Sequence, residues 1–170
     1  MLTAHSDYFQ SSALRASERY GPIEMESPVW PWDVTDYYQE ELGTGILRKF
    51  LFFERTIDPA LLPSVKQFTN EIERSFTREE QNGGFHRSIN LDPGYITESK
   101  VVLATTKDFS HRLYIGENIY AEVTLRYHAK KRSFLPHEFT FPDFRSRKYL
   151  EMFNTMRDSL RRDLTLNKPR

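Results

Sequence analysis

The sequence predicts an α+β protein whose first half follows the ferredoxin-like βαββαβ order and whose second half adds a helix, a β-hairpin and a C-terminal helix. Three observations carry that expectation. Leu62, Val65, Phe68, Ile72 and Phe76 recur at helical spacing, and Ile119, Ala121, Val123, Leu125 and Tyr127 alternate at period two. Segments of the two periods also follow one another along the chain in the order the split βαβ motif requires.

Residues 1–4 read as the remnant of an opening strand. Ser11 or Ser12 then caps a helix with Leu14 and Tyr20 on its inner side, and Gly21 and Pro22 stand where a helix stops. Residues 23–32 are extended, with Pro28 and Pro31 marking an edge strand. Thr35 caps a short helix over 36–42, closed by Gly43. Residues 46–57 form the strongest strand, and the run Phe50-Leu51-Phe52-Phe53 puts apolar groups on both of its faces. Asp58 and Pro59 stand in cap and first-turn order ahead of the second long helix, which Gln81-Asn82-Gly83-Gly84 ends. Phe85, Arg87, Ile89 and Leu91 then alternate with His86, Ser88 and Asn90 in a further strand, and Asp92-Pro93-Gly94 suits a type II turn.

Thr97 caps a helix through Lys107. In the hairpin that follows, opposed residues must share a side of the sheet, so a three-residue loop, Gly116-Glu117-Asn118, pairs Ile115 with Ile119 and Arg112 with Glu122. Tyr120, Glu122, Thr124, Arg126 and His128 form its polar face. Residues 134–144 make an aromatic, proline-broken arm whose expected role is packing. Leu150, Phe153, Met156, Leu160 and Leu164 mark the closing helix. The expected organisation is one domain over residues 1–165 and a frayed tail over 166–170.

Composition narrows the function. Twenty-four basic and twenty-four acidic residues cancel, which disfavours non-specific nucleic-acid binding, although a basic stripe from Lys130-Lys131-Arg132 to Arg145 would favour it. The absence of cysteine excludes disulfides, iron–sulfur clusters and thiol catalysis. The longest apolar runs fall far short of the roughly 18 residues of a membrane span, and no signal peptide is evident, so the expectation is a soluble, cytoplasmic protein.

Lys100 and Lys107 stand two turns apart and so share one face of the expected helix, with Thr105 and Thr106 close by and His111 and Arg112 just beyond. Together with Glu122 and Arg126 they make the best candidate site for a small anionic, possibly phosphorylated, ligand. A bland account competes with this one: cations near a helix C-terminus complement its dipole, and Arg112 with Glu122 is an ordinary cross-strand pair. No cofactor and no metal is expected. Asp33 and Asp36 fit capping better than a metal site, and the five histidines lack ligand spacing. No nucleophile elbow or phosphate loop supports an enzymatic reaction. The alternative function is a non-enzymatic interaction module that uses the aromatic arm or an exposed sheet edge to contact a protein partner or its own copy.

The strings TDYYQEELG, FLFFERTIDP, INLDPGYIT, KVVLATTKDFSHRLYIG and IYAEVTLRY, in that order and at those separations, resemble an uncharacterised bacterial family known as domain of unknown function 4416. Members are often labelled GTP-binding. This sequence lacks G-x-x-x-x-G-K-[ST], and Thr106-Lys107-Asp108 is not the N/T-K-x-D of guanine recognition, so the label is not carried over. The resemblance also implies an apolar strand ahead of the segment that matches residues 1–4. It brings no catalytic residues.

Overall fold

The structure, a computed structural model, describes residues 1–35, 38–79 and 85–166. Two compact units divide the chain, Met1–Pro93 and Gly94–Arg170. In the first unit the elements run β1 (Leu2–Thr3), α1 (Asp7–Tyr20), β2 (Ile23–Glu26), β3 (Trp30–Pro31), α2 (Gln39–Leu42), β4 (Leu47–Arg48), β5 (Leu51–Phe53), α3 (Leu62–Ser75), β6 (Thr77–Glu79) and β7 (Phe85–Arg87).

Their pairing is the split motif expected from the sequence. Strand β4 lies antiparallel between β1 and β3, and Leu2 exchanges backbone hydrogen bonds of 2.8 Å with Asn90 on the other side of β1. The segment after the second long helix therefore lies beside the first strand, and the strands from residues 23–32 and 46–57 pair on the far side. Those two segments are each broken in the middle. Pro28 has no N–H for a ladder, and the Ser27 hydroxyl accepts the Phe50 N–H at 3.0 Å instead, so β3–β4 and β2–β5 are two lengths of one antiparallel pair.

Helix α1 starts at Asp7, ahead of the expected serine caps, and it buries Phe9, Ser12 and Ala13. That face leaves Leu14 60% exposed, contrary to the inward position expected for it. Gly21 stops the helix as expected, at φ +93°, where only glycine is unstrained. Asp58 caps the next helical segment by accepting the Ala60 N–H at 2.9 Å; a 3-10 turn over Pro59–Leu61 leads into α3. Strand β6 was not expected, and it pairs with β7. The proposed stop at Gln81-Asn82-Gly83-Gly84, and Asp36, lie outside the described residues. Among the described residues, Leu2, Trp32, Leu42 and Ile46 form one apolar cluster, and Ile72, Ile89 and Leu91 with Tyr8, Phe68 and Phe76 form another.

The second unit holds β8 (Gly94–Ile96), β9 (Lys100–Thr105), β10 (Leu113–Gly116), β11 (Ile119–His128), β12 (Ser133–Leu135) and α4 (Arg147–Leu166). The sheet order is β10-β11-β9-β8, with β12 paired to the far half of β11. Strand β9 replaces the helix expected over 97–107. Thr97 does accept the N–H groups of Ser99 (3.2 Å) and Lys100 (3.1 Å), the same bonds an N-cap makes, but the chain then extends. Its β-branched valines decide the matter: Val101 and Val102 are both buried, one on each face. Gly94 sits in β8 rather than in a type II turn. Glycine is needed there because a Cβ would stand 2.2 Å from the Val102 carbonyl oxygen.

Leu113 opposite Ala121 and Tyr114 opposite Tyr120 keep the register expected of the hairpin. At the tip, Ile115 is bulged, Gly116 faces Ile119, and Glu117 and Asn118 form a two-residue turn at φ 54° and 58°. The expected Ile115–Ile119 pair and three-residue loop are therefore not formed. A second bulge lies at Thr124, between Val123 opposite Val102 and Leu125 opposite Val101. It breaks the alternation assumed for β11, exposing Val123 and burying Thr124. Helix α4 buries Tyr149, Met152, Phe153, Met156 and Arg157, and its Asn154 accepts the Phe134 N–H at 2.9 Å, while Leu164 is exposed. Residues 167–170 of the expected tail lie outside the described residues. Among the described residues no helix is long and apolar enough to cross a membrane.

Candidate functional site

Strand pairing sorts the eight residues of the predicted anion site. Opposed residues share a face of the sheet, and neighbours along a strand alternate. Glu122 opposes Leu103, whereas Arg126 opposes Lys100, three residues earlier on unbroken β9. An odd step changes the face, so the Thr124 bulge puts Glu122 on one side of the sheet and Arg126 with Lys100 on the other. The helical face expected to unite Lys100 with Lys107 does not exist.

On the first side, Glu122 gathers the groups that follow β9. Its Oε2 accepts from Arg112 Nε at 2.8 Å, the pair expected from the register, and lies 3.2 Å from His111 Nε2. Arg112 also donates through Nη1 to the Lys107 carbonyl at 3.1 Å, and its guanidinium stands 4.6 Å from the Phe109 ring centre. Thr105 ends β9 by accepting the Lys107 N–H at 3.2 Å, and Thr106 is exposed. The Glu122 carboxylate offsets the charge of Arg112 locally.

The arm, expected from the sequence to pack over the sheet or to contact a partner, is fastened beside this cluster. His137 donates a ring N–H to the Val123 carbonyl, and the Thr140 hydroxyl donates to the Thr124 carbonyl at 2.7 Å, so the arm is fastened to the bulge. Arg145 stiffens it with bonds to the carbonyls of His137, Glu138 and Thr140. Phe139 is thereby held parallel to His111, 4.6 Å between centres and 3° between planes; Phe109 lies parallel to His111 at 6.1 Å.

On the opposite side, Lys100 and Arg126 face each other across β9 and β11. Neither makes an ion pair among the described residues. Like charges directly opposed on a sheet cost a fraction of a kcal/mol, up to about 1. A bound anion would remove that cost.

The sequence reading missed a third group, in the first unit. Lys66 is only 2% exposed and donates to the Leu91 carbonyl at 2.6 Å, with Asp92 Oδ1 at 3.3 Å and Glu73 Oε1 at 3.4 Å. Glu73 also accepts the Leu91 N–H at 2.7 Å and Arg87 Nη1 at 2.9 Å; Arg87 in turn bridges to both oxygens of Glu41. Burial alone would raise the Asp92 carboxyl, but Lys66 and the Asn90 amide at 2.6 Å outweigh it and hold the group below the usual carboxylate range. Burial likewise opposes the charge on Arg87, and Glu41 and Glu73 more than restore it. Each charged member has a partner of opposite charge, so the network ties α3 to the strand beside β1. One signal was available: Lys66 and Glu73 occupy α3 positions that share the buried face of Leu62 and Ile72. Among the described residues, no group of three or more histidines and carboxylates could hold a metal ion.

A family model described as Domain of unknown function (DUF4416) matches residues 1–160. The chain belongs to that family. No curated protein and no solved structure shows a significant match to this DUF4416 chain.

Proposed function

We propose that this protein binds an anionic ligand, and that Lys100 and Arg126 make the contact rather than the residues around Arg112. The supporting observation is the like-charge pair across β9 and β11, which has no ion-pair partner among the described residues. Arg112 and His111 are weaker candidates because Glu122 already answers them. The reading includes the bacterial, cytoplasmic setting expected from the sequence, and it assigns no chemical step.

A thermal-shift screen with pyrophosphate, nucleotides and organic acids tests it. A ligand at a hundred times its dissociation constant adds about 2.7 kcal/mol, which is readily seen as a rise in melting temperature. Lys100→Ala and Arg126→Ala should each lose that rise, while Lys107→Ala keeps it. The reverse pattern would move the site to the Arg112 side, and no stabilisation by any of these anions would reject it.

A second reading, the interaction module, draws on a separate observation. Edge strand β10 exposes Leu113 at 74% and Tyr114 at 61%, close in sequence to exposed Phe109, and carries neither the Lys nor the Pro that blunts most sheet edges. Sedimentation velocity separates the outcomes: concentration-dependent association abolished by Leu113→Lys supports it, and a monomer at every concentration counts against self-pairing.

A further inference from the structure

The charge of this chain is unevenly divided. Residues 1–93 carry nine Lys and Arg against fifteen Asp and Glu, and residues 94–170 carry fifteen against nine. A sequence with no net charge thus gives its second unit an excess of cations, and the neutral total conceals a field that overall charge alone would exclude.

Within that unit, cations collect at the end of the sheet where β9 begins and β11 finishes. Beyond the Lys100–Arg126 pair comes exposed His128, then a 3-10 turn over Ala129–Lys131, with Lys130, Lys131 and Arg132 all exposed. The turn is built, not loose. His128 Nδ1 accepts the Lys131 N–H at 3.2 Å, and the Ala129 carbonyl accepts the Arg132 N–H at 3.2 Å. Arg132 itself takes the left-handed conformation, φ 51°, which glycine or asparagine would adopt more easily. A side chain bearing charge is held where the backbone favours a small one.

None of Lys100, Arg126, Lys130, Lys131 and Arg132 makes an ion pair among the described residues. Two acids of neighbouring elements are engaged elsewhere: Glu98 with Arg161 Nε at 3.0 Å, and Asp158 with Arg157 at 3.5 Å. From Arg126 to the turn is on the order of 10 Å of strand and turn. One compact anion cannot reach all five cations, but a ligand that repeats its charge along a chain can. Among the described residues, no large exposed apolar side chain lies between residues 124 and 138 to enter a bilayer surface.

We propose that this basic end of the second unit binds the phosphate backbone of a nucleic acid without reading its sequence. The inference rests on the anion reading above and names the class of anion.

Fluorescence polarisation with labelled 20-nucleotide single-stranded RNA, from 50 to 300 mM salt, tests it on the full chain. Neutralising about five phosphates predicts a log–log salt slope of roughly −3 to −5. Lys130→Glu with Lys131→Glu, at exposed positions, should weaken binding at least tenfold at 50 mM salt and flatten the slope by about two, leaving the circular dichroism spectrum unchanged. No polarisation change at 50 mM salt, or wild-type affinity in the double variant, would overturn the proposal. Equal binding to polyglutamate or to phosphatidylserine vesicles would also overturn it, by assigning the surface to acidic polymers or membranes in general. Pyrophosphate binding through Lys100 and Arg126 without RNA binding would remove this inference and leave the anion reading standing.

Discussion

Lys66 illustrates how a single side chain can stand against its own residue type. Lysine is rarely buried, and here burial is tolerated because a carbonyl and two carboxylates surround the ammonium. The direction of the Asp92 shift fixes the pH behaviour. A carboxyl held below its unfolded value of about 3.9 adds stability that is complete above that value and is lost as pH falls through the folded value. The urea midpoint should therefore drop between about pH 5 and pH 2. Asp92→Asn should begin lower at neutral pH and fall less steeply, and parallel curves for the two proteins would show that Asp92 takes no part.

Elements were legible in the sequence where one signal dominated. The caps at Asp58 and Gly21, the α3 periodicity and the pairing of Arg112 with Glu122 all follow from local pattern or parity, and they appear where expected. Residues 97–107 were misread because Thr97 makes cap-like bonds at the head of a strand, so two different structures share one local signature. The Thr124 bulge was not legible because no special residue marks it; carbonyl acceptors fastened by His137 and Thr140, more than ten residues away, stabilise it. That one inserted residue is also why the candidate site was only partly readable, since it sends Arg126 to the face opposite Glu122. The Lys66 network escaped for a related reason: its partners Arg87, Leu91 and Asp92 are distant in sequence, and a lone Lys or Glu on a helix normally signals a solvated face.

For the molecule as a whole, equal numbers of acids and bases describe the sum and not the distribution. Fifteen acids against nine bases before residue 94, and the inverse after it, give each unit its own sign. At low salt and neutral pH the chain should be retained by both cation and anion exchangers, and leave both by about 0.5 M salt, where screening acts within a few ångström. A protein of evenly mixed charge would pass through each column, and passage through both would refute the polarity argued from the counts.

The parallel rings of His111 and Phe139 have a magnetic consequence as well. With 4.6 Å between centres and nearly parallel, stacked planes, the imidazole sits in the shielding cone of the phenyl group. Its carbon-bound protons resonate upfield of free histidine for as long as Phe139 stays seated. The molecule thus carries an internal gauge, readable in a one-dimensional proton spectrum, of whether the segment around Phe139 is docked or lifted.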